Sequence, residues 1–573
     1  MEQTNRQVIF TSEARCRDCY RCVRVCPVKA VKVDGNQARV DDSRCIACGT
    51  CVRECPQGAK TYRKDVVLAQ KILKGPGLVA ASLAPAFAGV YDTWEQLRLP
   101  AALRRLGFRY VAETAIGAYL VARETAAVVK KGERTHICTA CPAVVNYVEK
   151  YDEEKLSHLV PVVSPMMAHA RHIKAKFGPD TRVIFIGPCA AKKAEADRTE
   201  LKGTVDCVLT FEELDQMLAE EGIDLATCEE SAFDEQPAGQ ARFFPIEGGA
   251  AATSMLCTDV LNDRLIFVSG FDEFKACLNA IDKKTAPVTV EPLLCPHGCI
   301  NGPGIKREGN VFERRSRVIR YAGAQKVVEG VVPVQVDLAT YFHKRAVDGE
   351  GAVTEEKIRH VLEQTSKSRP EQQLDCGACG YPSCREQAAA VVRGMAGTEM
   401  CIPYMRRLAE QRTDRIMEAS PNGIVVVDRH LNILAYNAAF GVIFKIGPSL
   451  VGEHISRVAD PEAFERLLSG QQEVFDAPRA YPEHELVLRE IVYAMRAEGQ
   501  FVGMFINITP LQADARTLQK VKDETMLQAQ ELHAHQMEMA KNFANFLGEY
   551  TAKGEQLVNK LLDAVKDQDK GRG

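Results

Sequence analysis

The chain has 573 residues, 46% hydrophobic and 26% charged, with a formal net charge of −3 and 21 cysteines. This length exceeds what one core can organise, so about three to five domains are expected, and the near-neutral charge gives no basic footprint for nucleic acid. The most apolar stretch, Gly77 to Val90, carries Pro85 and falls short of the ~18 residues that span a bilayer, so no membrane association is expected. The opening MEQTNRQVIF has neither a charged n-region nor an apolar h-region, so no signal peptide is expected. Abundant cysteine without an export signal points to cytoplasmic metal binding rather than secreted disulfides.

The first element is a doubled cysteine run. Cys16, Cys19, Cys22 and Cys26 precede Pro27, and Cys45, Cys48, Cys51 and Cys55 precede Pro56. This is C-x2-C-x2-C-x3-C-P twice, in which the fourth Cys of each run crosses to the other cluster. One 4Fe-4S cluster is therefore expected on Cys16, Cys19, Cys22 and Cys55, and a second on Cys45, Cys48, Cys51 and Cys26. Disulfides or zinc knuckles fit this doubled pattern poorly.

Alternating elements follow. GLVAASLAP (Gly77 to Pro85), RVIFIGPCA (Arg182 to Ala190) and RLIFVSG (Arg264 to Gly270) read as buried strands, and Thr93 to Leu106 has helical spacing. Strands alternating with helices argue an α/β region over about 75–345. Within it Cys141, Cys189, Cys295 and Cys299 each stand beside Pro or Gly, which suggests convergent ligands at element ends. Next comes Cys376-x2-Cys379-x4-Cys384 with Cys401 further on, a group for which a 4Fe-4S cluster is preferred to zinc. Cys138, Cys207, Cys228, Cys257 and Cys277 read as core thiols. A cysteine-free α+β segment then precedes an amphipathic tail, with Leu518, Val521, Leu527 and Leu532 at mainly helical spacing.

The central segments resemble the three signature loops of the FeFe (iron-only) hydrogenases, in order and behind the same ferredoxin-like module. The family's T-S-C-C-P appears as Thr139-Ala140-Cys141-Pro142 after Cys138. Its P-C-x-x-K-x-x-E is complete in Pro188, Cys189, Lys192 and Glu195. Its E-x-M-x-C-x-x-G-C-x-x-G is matched by Glu291, Cys295, Gly298, Cys299 and Gly302. The resemblance implies that Cys141, Cys189, Cys295 and Cys299 hold a 4Fe-4S cluster. It further implies that Cys299 bridges to a di-iron subsite with carbon monoxide and cyanide ligands, the two forming the H-cluster. Lys192 would contact a cyanide, while Lys193 is expected on the surface.

The departures from the family are specific. Ala140 stands where the proton-transferring Cys belongs. Of the family's two relay glutamates only Glu124 is present, with Ala127 in place of the second. Met166, Leu293 and Gly187 replace a Gln and two Met. The Cys376–Cys401 group resembles a four-cysteine cluster domain of some redox and corrinoid iron–sulfur proteins. Ala419 to Phe440 resembles the opening of a PAS domain, with strands meeting at Asp428-Arg429-His430 and a helix starting at Asn437; no PAS ligand is assigned.

The expected fold is therefore multidomain α/β. It comprises a ferredoxin-like 2x4Fe-4S module (1–65), a two-lobed α/β hydrogenase domain (75–345), a small helical four-Cys 4Fe-4S domain (355–406), an α+β PAS domain (408–512) and a C-terminal amphipathic or coiled-coil helix (513–573). The expected function is a sensory FeFe hydrogenase that turns over H2 slowly for want of the Cys at Ala140, and relays redox state through its clusters to the PAS domain. Its expected partners are H2, a redox partner and a signalling kinase or phosphatase, with a possible homodimer through the PAS domain or terminal helix. One alternative is a catalytic ferredoxin-linked hydrogenase. The other is a non-catalytic hydrogenase-like iron–sulfur assembly factor, which keeps the cysteines and lacks the di-iron subsite.

Overall fold

The computed structural model describes residues 7–573 apart from 36, 132–133, 238–239, 255–261, 282–285, 306–308, 325–335, 348–352, 448–449, 471, 496–497, 510–524, 540–559 and 561–573, and apart from the side chains of 410–414. The chain divides into two compact units, Met1–Met405 and Arg406–Gly573. Cys257 and most of the expected terminal helix lie outside the described residues.

The first unit opens with β1 (Ile9–Thr11), the hairpin strands β2 (Val31–Asp34) and β3 (Gln37–Val40), and β4 (Lys60–Tyr62), which pairs antiparallel with β1. Two one-turn helices, Arg21–Val25 and Thr50–Glu54, carry the inner cysteines of each run. Behind this module lie two parallel sheets. β5 (Val79–Leu83), β6 (Tyr110–Glu113), β8 (Arg182–Gly187) and β9 (Cys207–Thr210) assemble in the order β6-β5-β8-β9 around β7 (His136–Ile137) in sequence. β7 instead joins β10 (Leu265–Ser269) and β11 (Thr289–Leu293) in the order β10-β11-β7. All five residues of β5 and all four of β6 are buried, as continuous apolar strands covered on both faces require. Helices Thr93–Arg105, Ala115–Lys131 and Pro165–Phe177 supply part of that cover.

Two polar networks are sealed into this unit. Lys193, expected on the surface, is fully buried. Its Nζ donates to Asp65 (2.7 Å), to Glu213 (3.1 Å to Oε1) and to the Val208 carbonyl (2.7 Å). It therefore ties the residue after the N-terminal module to β9 and to helix Phe211–Glu220. A single residue of register separates Lys193 from Lys192, and the helix turn from Ala191 aims the two side chains differently. The second network links Thr114, Ser82 and His169: Ser82 Oγ lies 2.8 Å from Thr114 Oγ1 and 2.7 Å from His169 Nδ1. Burial, helped by the neighbouring His172, pushes the His169 imidazole down to about 3.

The second unit is a five-stranded antiparallel sheet. Its strands are β12 (Gly423–Val427), β13 (Ile433–Tyr436), β14 (Val474–Tyr481), β15 (Leu486–Met495) and β16 (Gln500–Asn507), in the order β13-β12-β16-β15-β14. Asn437 caps helix Ala438–Ile443. Its Oδ1 accepts from the Phe440 and Ile424 amides (3.0 and 2.8 Å), and its Nδ2 donates to the Met417 and Asn422 carbonyls (2.8 and 2.9 Å). One polar side chain thus fixes a helix start and a strand start together. β14 escaped the sequence reading. It contains Pro478, and it is the edge strand, the position where a missing N–H is tolerated. Residues 525–539 are helical, and the exposed His533 packs edge-on against Tyr493 with ring centroids 6.0 Å apart. Among the described residues no helix is long and apolar enough to cross a membrane.

Two outcomes follow from the buried networks. Lys193→Ala leaves the Glu213 carboxylate sealed without its cation and Asp65 with Arg63 alone, and is expected to cost about 3–5 kcal/mol, read as a lower denaturant midpoint for the full chain. His169 has a folded pKa below its unfolded value of 6.5, so the unfolded chain takes up the proton first. The stability contributed by the neutral ring is complete above pH 6.5 and is lost as pH falls from there toward about 3. His169→Gln is expected to flatten the acid limb of the stability–pH curve over that window.

Candidate metal centre

The carboxyl ends of the parallel strands deliver the central cysteines. Cys141 follows β7 and is the N-cap of helix Pro142–Tyr151, with Pro142 in the first helical position. Cys189 follows β8 and precedes helix Ala191–Ala196. Cys295 and Cys299 lie in the loop after β11. Loops at strand carboxyl ends are where parallel α/β folds place ligands.

Close backbone packing holds the three loops together. Gly304 N–H donates to the Pro188 carbonyl at 2.9 Å, and Cys299 N–H donates to the Pro245 carbonyl at 2.8 Å. Gly298 takes φ 86°, and a Cβ there would lie 2.5 Å from the Pro245 oxygen. At Gly302 a Cβ would lie 2.4 Å from the Pro188 oxygen. The motif glycines are therefore points where one loop's backbone touches another's.

The thiols sense one another. Burial pushes Cys189 up to about 11, with the Cys141 charge adding to the rise. Burial also raises Cys295 well above its ordinary value, reinforced by Cys189, Cys299 and Cys141, and raises Cys299, reinforced by Cys141 and Cys189. Four half-buried cysteines from three loops thus lie close enough for their charges to interact, and on Cys189, Cys295 and Cys299 negative charge is costly until a cationic centre takes the place of the protons. Lys192 Nζ donates to Glu195 Oε2 (2.8 Å) and to the Ala140 carbonyl (3.3 Å), and Ser164 Oγ donates to the same Glu195 oxygen (3.0 Å). The lysine of the second loop thereby clamps the first.

Thiols of the N-terminal module also influence one another. Cys22 is raised by burial and senses Cys19, Cys16 and Cys55. Cys51 is raised well above its usual value by burial and senses Cys26, Cys48 and Cys45. Backbone amides of Ala30, Ala47 and Ala59 point at the sulfurs of Cys26, Cys45 and Cys55 (3.2, 3.3 and 3.3 Å). Helix Pro142–Tyr151 holds this module against the central loops. Asn146 donates to the Ile46 carbonyl (3.1 Å), Lys150 to the Cys45 carbonyl (2.8 Å) and Tyr151 to the Arg44 carbonyl (2.6 Å). Cys48 lies close enough to Cys141 for their charges to interact.

Cys376, Cys379, Cys384 and Cys401 line one cavity. Among the described residues no three His, Cys, Asp or Glu side chains gather tightly enough for a single metal ion.

The proton-handling positions are apolar or exposed. Ala140 packs in a cluster with Ala115, Ala118, Ala122, Ala241 and Phe244. Glu124 is exposed on helix Ala115–Lys131. Met166 is fully buried, and Leu293 is buried. Burial raises the Cys138 thiol, with the Glu291 charge adding to it. The sequence reading missed the buried carboxylate near this face. Glu113, at the carboxyl end of β6, is fully buried and receives Arg242 Nε and Nη2 (2.9 and 2.6 Å) and Tyr321 Oη (3.1 Å). Its partners lie 129 and 208 residues away, so no local pattern announces it.

Comparison with known proteins gives these sites a context. Residues 78–303 match the family model "Iron only hydrogenase large subunit, C-terminal domain". Residues 8–56 match "4Fe-4S dicluster domain", and residues 372–403 match "Putative Fe-S cluster". This chain carries a hydrogenase-like domain and iron–sulfur domains. The chain is similar to the cytosolic Fe-S cluster assembly factor NAR1 of Vanderwaltozyma polyspora, with 39% identity over 97 residues, 17% of this chain and 18% of that protein. It is also similar to the probable cytosolic Fe-S cluster assembly factor oxy-4 of Caenorhabditis elegans, with 27% identity over 270 residues, 38% of this chain and 59% of that protein. The matches span less than two thirds of either relative. A variant of FeFe-hydrogenase HydA1 from Chlamydomonas reinhardtii aligns over 49% of this chain and 99% of its own, with 18% identity and a TM-score of 0.38.

These relatives correct the main expectation from sequence. The sensory hydrogenase that slowly turns over H2 gives way to the non-catalytic assembly-factor alternative, because the curated relatives are named as iron–sulfur assembly factors. The physical reason is local. The motifs that suggested an H2-handling enzyme are cysteines and the glycines that support them, and those residues serve any cluster at this place. The residues specific to proton transfer are absent, as at position 140, or exposed, as at Glu124.

Gly302→Ala is expected to push the third loop off Pro188 and to lower the iron content of the anaerobically purified chain by about one cluster's worth. Gly323→Ala, where a Cβ meets nothing within 4 Å, is the matched control and is expected to leave iron content unchanged.

Proposed function

We propose that this protein is a hydrogenase-like iron–sulfur assembly factor acting in the cytoplasm. In this reading Cys16, Cys19, Cys22 and Cys55 hold one 4Fe-4S cluster, and Cys45, Cys48, Cys51 and Cys26 a second. Cys141, Cys189, Cys295 and Cys299 hold a third, and Cys376, Cys379, Cys384 and Cys401 a fourth. A bound cluster supplies one-electron chemistry or serves as the cargo itself. The chain's own residues bury the thiols, aim backbone amides at the sulfurs and keep Lys192 clamped between two loops. The single observation that carries the reading is the similarity to cytosolic Fe-S cluster assembly factors. The apolar setting of Ala140 supports it, since that position can neither give nor take a proton.

The second unit is assigned a PAS-type fold, supported by the order β13-β12-β16-β15-β14 and by the Asn437 cap. Its proposed role is to dock a partner or a second copy of the chain.

The test is cluster transfer under anaerobic conditions. Protein loaded with iron and sulfide is expected to restore cluster absorbance to an added apo-ferredoxin. It is also expected to evolve no hydrogen from reduced viologen above background and to show no infrared bands of carbon monoxide or cyanide on iron. Hydrogen turnover without transfer would overturn the reading.

A further inference from the structure

A buried ammonium ion is costly unless a negative group compensates it. Lys192 and Lys193 obey this rule with carboxylates: Glu195 for the first, Asp65 and Glu213 for the second. Lys60 and Lys367 do not. Each is 4% exposed, and among the described residues neither forms an ion pair with a carboxylate. Lys60 Nζ donates to the Ala38 carbonyl at 2.9 Å and to the Thr11 hydroxyl, both neutral acceptors. Lys367 lines the cavity of Cys376, Cys379, Cys384 and Cys401, close enough for its charge to interact with the Cys401 and Cys384 thiols.

Both lysines stand at cysteine sites. Lys60 lies on β4, next to Ala59, whose amide donates to the Cys55 sulfur, and its side chain crosses to β3. From β4, beside the Cys55 sulfur contact of Ala59, its charge also opposes the burial-driven rise of Cys22, in one thiol group, and of Cys51, in the other. Lys367 lies five residues before the segment 372–403 that the iron–sulfur family model matches. That model therefore does not include it.

We propose that Lys60 and Lys367 are the built-in counter-cations of the iron–sulfur sites, Lys60 shared by the two N-terminal clusters and Lys367 dedicated to the Cys376–Cys401 cluster. A 4Fe-4S cluster on four thiolates is anionic in both redox states, and one unit more negative when reduced. A nearby fixed ammonium stabilises the reduced form more than the oxidised form and so raises the reduction potential. The lysines are positioning residues that act through charge. The inference rests on the cysteine groups binding clusters and is independent of whether those clusters are cargo.

The test uses the full-length, cluster-loaded chain, with iron and sulfide content and an EPR-monitored redox titration as readouts. Lys60→Met is expected to shift the one-electron equilibria of both N-terminal clusters toward the oxidised form by tenfold or more, about 59 mV per tenfold, and to leave the Cys376–Cys401 cluster unmoved. Lys367→Met is expected to do the reverse. Lys60→Arg and Lys367→Arg keep the charge and are expected to restore wild-type potentials. Full loading with unchanged potentials in both Met variants would overturn the inference. Cluster loss in a Met variant but not in its Arg counterpart supports a charge requirement. Equal loss in both would make the lysine a structural strut between Thr11 and Ala38, or between the cavity walls, and would overturn it. Wild-type protein without iron and sulfide would instead refute the cluster reading beneath it.

Discussion

The structure is organised by the cost of gathering sulfur nucleophiles in a dry interior. Thiols that share one neighbourhood cannot all ionise while they face only each other, and burial is the largest influence raising Cys51, Cys189, Cys295 and Cys379. The fold meets this constraint with partial positive charge. Backbone amides point at the sulfurs of Cys26, Cys45 and Cys55, Cys141 begins a helix, and buried Lys60, Lys192 and Lys367 lie beside the N-terminal, central and Cys376–Cys401 cysteines. A bound metal centre would supply the positive charge that ionised thiolates require. The architecture around the cysteines is thereby completed by a cluster rather than merely decorated with one.

The same constraint explains why packing around the central loops is so close. A ligand set drawn from positions 141, 189, 295 and 299 has no local sequence to hold it together. The parallel strands bring three loop starts to one end of their sheets, and backbone contacts finish the arrangement: Gly304 to Pro188, Cys299 to Pro245, and Gly302 against Pro188. Helix Pro142–Tyr151 then serves two sites. Its first turn carries Cys141 beside the central group, and its later residues grip the loop that carries Cys45.

Much of this was legible in sequence, for identifiable reasons. The doubled C-x2-C-x2-C-x3-C-P run is local, so an iron–sulfur module at the start of the chain could be read directly, and residues 8–56 match a 4Fe-4S dicluster domain. Buried parallel strands are continuous apolar runs, so β5, β8 and β10 stood out. What stayed hidden depends on long-range partners. Lys193 looks like any surface lysine until Asp65 and Glu213 arrive from distant elements. Glu113 looks like the end of a strand until Arg242 and Tyr321 cover it. β14 was masked by Pro478, which sequence rules forbid in a central strand and permit at an edge.

The correction in function has the same origin. Cysteines and their supporting glycines record that a cluster is held, and where. They do not record whether protons reach it. That second property belongs to the residues lining the path, and here the decisive position is a methyl group among other alanines. An apolar wall at position 140 removes a route for protons while leaving every sulfur in place. A scaffold with this wall retains what cluster binding needs, and its fixed charges then matter through where they stand relative to the sulfurs rather than through any proton they could carry.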